Sequence, residues 1–279
     1  CSIAVDRRSK VENGKLTVVR GYSGTAAAAI PKGSNLLRLS TAMEQGSYVP
    51  DSTIAQPSKF YNYTQIVRTP FDGSRNAESE ALKVGDNERN RIRREKALEH
   101  RLDIERTLLF GERGEDVPNR TTTTGGLLYF INSNMYSVNG VLTEKVFLDF
   151  SEMAFAWGSG SKLLVASPRV CSIINQFAAD RIITKSGENT YGLRLKQLDT
   201  FHGTFYIVPT KIFAHDYQDM MVAVDMKNVK YRPYKGADTK LRMNIHPDTY
   251  DGWMDEYLTE FGLEVRLEKT HAIATGITG

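Results

Sequence analysis

The residues that could do chemistry in this chain are few and scattered. The five histidines, His100, His202, His215, His246 and His271, stand apart, and none pairs with another at metal-ligand spacing. His246-Pro247-Asp248 offers at most two ligands, short of the four that close a structural zinc site, and reads as a turn. Asp251, Asp255 and Glu256 beside Trp253 could work as paired carboxylates, but on a short helix such acids form a solvated face. Gly158-Ser159-Gly160-Ser161-Lys162 has the composition of a phosphate loop. It follows a helix and precedes a strand, the reverse of the order a phosphate loop needs, so it also reads as a turn. No residue is assigned to catalysis, to a cofactor or to a metal.

The two cysteines cannot supply a disulfide framework, which fits a reducing compartment. Cys1 admits three readings: a lipidated terminus, an N-terminal nucleophile, or the end left by trimming. A nucleophile would need helper groups, and Ser2-Ile3-Ala4-Val5 supplies none, so trimming is preferred. Cys171 falls within an apolar helix and reads as a small buried hydrophobe.

Arg89, Arg91, Arg93, Arg94 and Lys96 suggest a phosphate track. Acids are interleaved with them at helical pair spacings (Glu88–Arg91, Arg91–Glu95, Lys96–Glu99), which suits a solvated or subunit-facing surface better. The charge balance agrees. Over 279 residues the net charge is only +3; residues 1–76 hold 10 Lys/Arg against 5 Asp/Glu, 77–113 hold 9 of each, and 114–279 hold 17 against 19. A dedicated nucleic-acid binder would be far more basic. A mildly positive N-terminal third could still face a polyanion through many copies.

The elements that must position these residues begin with a composition of 41% hydrophobic and 25% charged residues, typical of one large or two modest globular domains. No apolar run is long enough to cross a bilayer, so no membrane span is expected. Residues 1–75 are extended in character. Strands are expected at 15–20 and 60–69, separated by Pro31, Gly33, Gly46, Pro50 and Pro57 with little core of their own. A helix is expected from Asp86 to Phe110, stopped by Gly111. At 100° per residue it carries two apolar stripes, Leu98/Leu102/Leu109 and Ala97/Ile104/Leu108, and is expected to be covered on both sides. After it, Thr143 caps a helix bearing Phe147, Phe150, Ala154 and Trp157 and ending at Gly158, and Leu163–Ala166 is a buried strand. Ser167-Pro168 then opens a second helix, and further strands fall at 204–208 and 220–225. From Leu263 the pattern alternates through Val265 and Leu267 to Ile273 and Ile277, which predicts one long strand with a buried face.

Several of these segments carry a resemblance. Tyr61-Asn62-Tyr63-Thr64-Gln65-Ile66, the run Leu98 to Gly111, Thr123-Thr124-Gly125-Gly126-Leu127, Leu164 to Pro168, and Glu260 to Val265 are similar to tailed-bacteriophage major capsid proteins with the HK97-type fold. The resemblance covers most of the chain from about Phe60. It implies an α+β fold with an N-terminal arm (1–14), an extended E-loop (15–75), a peripheral domain with a long spine helix (76–140 and 236–279) and an axial domain (141–235). It implies no enzyme and no cofactor, but a structural subunit assembling into hexamers and pentamers of an icosahedral head. Packaged double-stranded DNA, held nonspecifically, and portal, scaffold or decoration proteins are the implied partners, with no membrane. The place is the virion, assembled in the bacterial cytoplasm. Prohead-protease trimming, common in the family, would account for a chain starting at Cys1. The expected assembly interface is Tyr48, Ile54, Tyr61, Tyr63, Ile66, Leu98, Leu102 and Leu109. Two alternatives stand beside it: an encapsulin-type nanocompartment shell, and a DNA-binding protein using the basic helix.

Overall fold

The structure is a computed structural model describing residues 3–5, 18–37, 39–40, 43, 45–49, 59–76, 87–178, 182–183, 196–214 and 216–278. The chain divides into two units, Cys1–Ser58 and Lys59–Gly279. In the first, β1 (Ile3–Val5) pairs antiparallel with β2 (Val18–Arg20), and a 3-10 turn follows at Tyr22–Gly24. The described remainder of that unit is irregular. Its apolar side chains face outward, with Leu37 87%, Leu39 77%, Tyr48 95% and Val49 93% exposed.

The second unit is built on two sheets. The first centres on β14 (Gly252–Val265), which pairs antiparallel along one edge with β3 (Gln65–Ser74). Along its other edge it pairs with β13 (Lys240–Arg242) and then β12 (Val229–Pro233). Across one face of this sheet lies α1 (Glu88–Phe110), a 23-residue rod without Gly or Pro, capped by Asn87, whose side chain accepts from Arg89 N–H at 2.9 Å. A small hairpin, β4 (Gly114–Asp116) with β5 (Thr121–Thr123), and a short helix α2 (Leu127–Phe130) follow α1.

The second sheet takes β6 (Met135–Val141), β7 (Ser161–Ala166), β8 (Ile182–Ile183), β9 (Lys196–Asp199), β10 (Thr204–Pro209), β11 (Met221–Val224) and β15 (Ala272–Thr278) in the order β6-β15-β11-β7-β10-β9-β8. Helices α3 (Glu144–Phe155) and α4 (Pro168–Ala178) bury Phe147, Phe150, Ala154, Val170 and Ile174 against one face. The other face packs Val222, Val224 and Ile273 on Leu127, Ile131, Phe213 and Leu263, with Leu108, Leu109 and Phe110 of α1 beside them. Both faces are covered, so Met221-Val222-Ala223-Val224 is apolar throughout and buried throughout.

Local signals place α3, β7 and α4 where the sequence leads one to expect them, except that α3 ends at Phe155 and leaves Trp157 exposed beyond it instead of on its apolar face. Thr143 Oγ1 accepts from Val146 N–H, and Ser167 Oγ accepts from Val170 N–H at 3.1 Å. Three expectations are corrected. First, α1 is not covered on two sides within one chain. Its only buried residue is His100, while Leu98 is 62% and Leu102 43% exposed. Second, the terminal alternation is not one strand. It breaks at Leu267 (φ 47°), which is 71% exposed, and passes through a 3-10 turn at Glu268–Thr270. The Glu268 carboxylate holds that turn by accepting from Asn132 N–H (2.7 Å), Ser133 N–H and Ser133 Oγ, and the chain leaves one sheet for the other. Third, Asp255 and Glu256 lie not on a solvated helix but in β14, 0% and 1% exposed.

Candidate assembly surfaces

Four of the five segments that carry the resemblance, distant in sequence, meet at one point; the fifth, Leu164 to Pro168, runs from β7 into α4. Asn62 Nδ2 donates to Thr124 Oγ1 (3.0 Å), Gly125 O (2.9 Å) and Leu263 O (2.8 Å), and its Oδ1 accepts from Gly125 N–H (2.7 Å) and Tyr63 N–H (3.0 Å). Gly126 N–H donates to Gly111 O at 2.7 Å, joining that point to the end of α1. The two glycines are there for closeness. A Cβ on Gly111 would come within 2.4 Å of Thr124 O, and one on Gly126 within 2.7 Å of Gly111 N. Neither has a positive φ.

The sheet under α1 is held by charge on both faces. Asp255 points toward α1 and takes Arg89 (2.7 Å), Arg93 (3.0 Å) and Asn244 N–H (3.0 Å). Burial would raise its pKa, but the hydrogen bonds from Arg89, Asn244 N–H and Arg93 outweigh that and hold the carboxyl below its ordinary range. Its neighbour Glu256 points to the opposite face and takes Arg68 (2.5 Å) and Arg242 (2.9 Å). Between the two layers His100 Nδ1 lies 2.8 Å from Thr69 Oγ1 and Nε2 2.7 Å from Thr259 Oγ1. Thr259 Oγ1 donates onward to Thr239 Oγ1 (2.9 Å), so it accepts from Nε2–H and Thr69 donates to Nδ1. Burial lowers the His100 pKa, with Asp103 pulling weakly the other way, and keeps the ring neutral.

These pairs change the meaning of the basic run. Arg89 and Arg93 serve Asp255, Arg91 pairs with Glu88 and Glu95, and Lys96 pairs with Glu99 at 2.6 Å. Paired cations do not present the one-signed track that a phosphate backbone needs. Lys162 and Cys171 have structural places, while Cys1 and His215 lie outside the described residues. Lys162, of the glycine-rich turn, is 1% exposed and donates to Ala154 O (2.5 Å), Trp157 O (2.9 Å) and Thr270 O (2.5 Å), and burial lowers its pKa to about 8. It caps the C-terminal carbonyls of α3. The thiol of Cys171 is pushed up to about 11 by burial, away from nucleophile chemistry. Among the described residues no group of three or more His, Cys, Asp or Glu is placed to hold a metal ion, and no helix is long and apolar enough to cross a membrane.

The expected interface residues separate into several surfaces. Tyr48 is 95% exposed on the first unit, and Ile54 lies outside the described residues. Tyr61 and Tyr63 meet edge to face at 5.6 Å, with the Arg113 guanidinium 4.3 Å from the Tyr61 ring. The Tyr63 hydroxyl donates to Glu115 at 2.7 Å, which pushes its pKa up to about 12. Ile66 is exposed on the sheet face opposite α1, since Thr69, of the other parity in β3, faces His100. Leu98 and Leu102 sit one turn apart on the outer side of α1. Leu109 does not join them and packs in the core beside Phe213 and Leu263. The sequence pattern gave no warning of Asp255, Glu256 or Lys162 as buried ions. Nor does it single out Phe201, 99% exposed, although an aromatic at a turn tip between two strands is an unusual signal.

A family model described as SU10 major capsid protein matches residues 11–278. The major capsid protein of Pseudomonas phage PaMx41 is 24% identical over 253 residues, covering 84% of this chain and 60% of that protein. The chain thus spans about 60% of the length of this curated relative. A solved structure titled Mycobacterium phage Bobi aligns with a TM-score of 0.52 at 12% identity, over 78% of this chain and 73% of that one. A capsid chain of an empty GTA particle aligns with a TM-score of 0.50 at 9% identity, over 84% and 81%. At such identities the likeness is one of fold, the HK97-type fold.

Proposed function

The chain belongs to the SU10 major capsid protein family, and from that premise we propose that it is the shell subunit of a tailed-phage head, assembling into hexamers and pentamers around double-stranded DNA. The observation that carries this reading is the first unit. Leu36, Leu37, Leu39, Tyr48 and Val49 are 70–95% exposed on a segment whose only described pairing is a three-residue ribbon. Isolated ribbons of that size are not stable in water, and a second copy would cover the apolar side chains of the segment. The exposed Leu98 and Leu102 on α1 support the same conclusion.

Within this reading, residues 1–14 are the arm and the extended loop is confined to 15–58, because β3 belongs by its hydrogen bonds to β14. The peripheral domain is α1 with the β14 sheet, and the axial domain is the seven-stranded sheet with α3 and α4, including β15. DNA contact is nonspecific and electrostatic, resting on the excess charge of residues 1–76 summed over many copies. Portal, scaffold and decoration proteins are further partners, and assembly takes place in the bacterial cytoplasm.

Sedimentation and negative-stain microscopy of the purified chain test the reading. Rings or closed shells are expected; a 31.3 kDa monomer across a wide range of concentration and salt would overturn it. Nucleic acid inside native particles, and not protein cargo, separates a phage head from a nanocompartment.

A further inference from the structure

A hydrogen-bonded knob and an open groove lie at opposite ends of α3. The knob is the turn Thr200–Gly203 between β9 and β10. Thr200 N–H donates to Gly203 O (2.9 Å), Gly203 N–H to Thr200 O (3.3 Å), and Thr200 Oγ1 to Gly203 O (2.7 Å). The base of the turn is fixed to the C-terminal end of α3. Thr204 N–H donates to Gly160 O at 3.0 Å, and Gly203 lies so close to Phe155 that a Cβ would come within 2.5 Å of its ring. At the tip Phe201 is 99% exposed, with Trp157, 60% exposed, on the loop that follows α3. The groove, about 780 Å³, is at the other end of the helix. Leu142, Thr143 and Glu144 line it from the start of α3, and Arg169, Ile173 and Phe177 from α4. Its apolar wall is continuous with the core, because the Phe177 ring lies 5.8 Å from that of Phe147.

Twelve helical steps from Thr143 to Phe155 separate the two features by about 18 Å. The exposure of Phe201 shows that it does not fill its own groove. We propose that the Phe201 turn of one copy seats in the groove between α3 and α4 of the next, so that subunits pack head to tail. The inference rests on the self-assembly reading above and assigns one of its contacts. The turn is already ordered by its own hydrogen bonds, so burying Phe201 is not offset by freezing a loop. A volume of this size accepts an aromatic side chain together with part of its turn. Because knob and groove are different patches, the contact is heterologous, and its repetition closes into a ring where the rotation allows. A capsomer is such a ring.

The test uses Phe201→p-benzoylphenylalanine in particles assembled from a mixture of ordinary and 15N-labelled chains. On irradiation, cross-links from position 201 of one isotope to peptides containing 141–144 or 169–177 of the other are expected. Cross-links confined to one isotope, or directed elsewhere, overturn the proposal. A second variant, Phe201→Asp, should keep the circular dichroism of the subunit while particle yield falls by roughly tenfold or more, as for an aromatic anchor. Normal yield from Phe201→Asp would overturn the knob and leave self-assembly standing. Failure of the unmodified chain to assemble would remove both.

Discussion

The side chain of Asn62 and the backbone of Gly125 exchange two hydrogen bonds, Nδ2 to Gly125 O at 2.9 Å and Gly125 N–H to Oδ1 at 2.7 Å. The amide thus acts as one rung of a strand that the backbone there does not form. Through the same Nδ2 it holds Leu263 O, so the entry to β3, the turn before α2 and the end of β14 are fastened by one side chain.

Asn62→Ala leaves Gly125 N–H and Leu263 O unpaired in a half-buried site, and is expected to lower subunit stability by about 2 kcal/mol. Asn62→Asp keeps the shape but sets a carboxylate oxygen against two carbonyls, and should lose at least as much at pH 7. Urea unfolding of dissociated subunits measures both; an Asp variant as stable as the parent would refute the donor role.

Gly126→Ala drives a methyl into the backbone of residues 107–111 and is expected to cost about 3 kcal/mol or to prevent folding. Gly160→Ala, with nothing within 4 Å of its Cβ, should lie within about 1 kcal/mol of the parent. Thermal melts that rank the two in the reverse order would show that Gly126 is not needed for close approach.

Acid should weaken the contact between α1 and its sheet. The pKa of His100 is lowered in the folded chain by burial, so below the ordinary histidine value the unfolded chain takes up a proton that the folded one refuses. Stability from this group is therefore complete above about pH 6.5 and is lost as pH falls toward the lowered folded pKa, with a slope of at most about 1.4 kcal/mol per pH unit. His271, buried and lowered in the same way, adds to the effect. His100→Gln should flatten the acid limb of a stability–pH curve, and an unchanged limb would exclude His100 as its source.

Lys162→Met removes the donor from Ala154 O and Trp157 O at the end of α3 and from Thr270 O before β15, and is expected to cost about 3 kcal/mol. A denaturation midpoint close to that of the parent would show that those carbonyls find other partners.

Leu102→Asp should leave the single subunit folded, because the side chain is 43% exposed there, and should impair assembly. Ile104→Asp, at a half-buried position, should destabilise the subunit itself, by about 2 kcal/mol for a charge brought partly out of water. Circular dichroism and particle yield, read together, separate the two effects; unfolding by Leu102→Asp would return that residue to the core.

Local pattern is enough for whatever lies within a few turns of chain. Thr143 and Ser167 cap the helices that follow them, Phe147, Phe150 and Ala154 mark one face of α3, and the gap-free run before Phe110 is a helix, because caps and apolar spacing act over less than a dozen residues. What each face meets depends on long-range packing. Periodicity groups Leu98 with Leu102, but it does not say that His100 is the residue turned to the sheet. Alternation carries Leu263 to Ile277 as one strand until Glu268, bonded to Asn132 and Ser133, turns the chain into another sheet. Asp255 and Glu256 look like surface acids until arginines from α1, β3 and β13 close on the two faces of β14. Asn62 reaches its third partner 201 residues away. Such pairings depend on the register of long-range contacts, which no local pattern encodes.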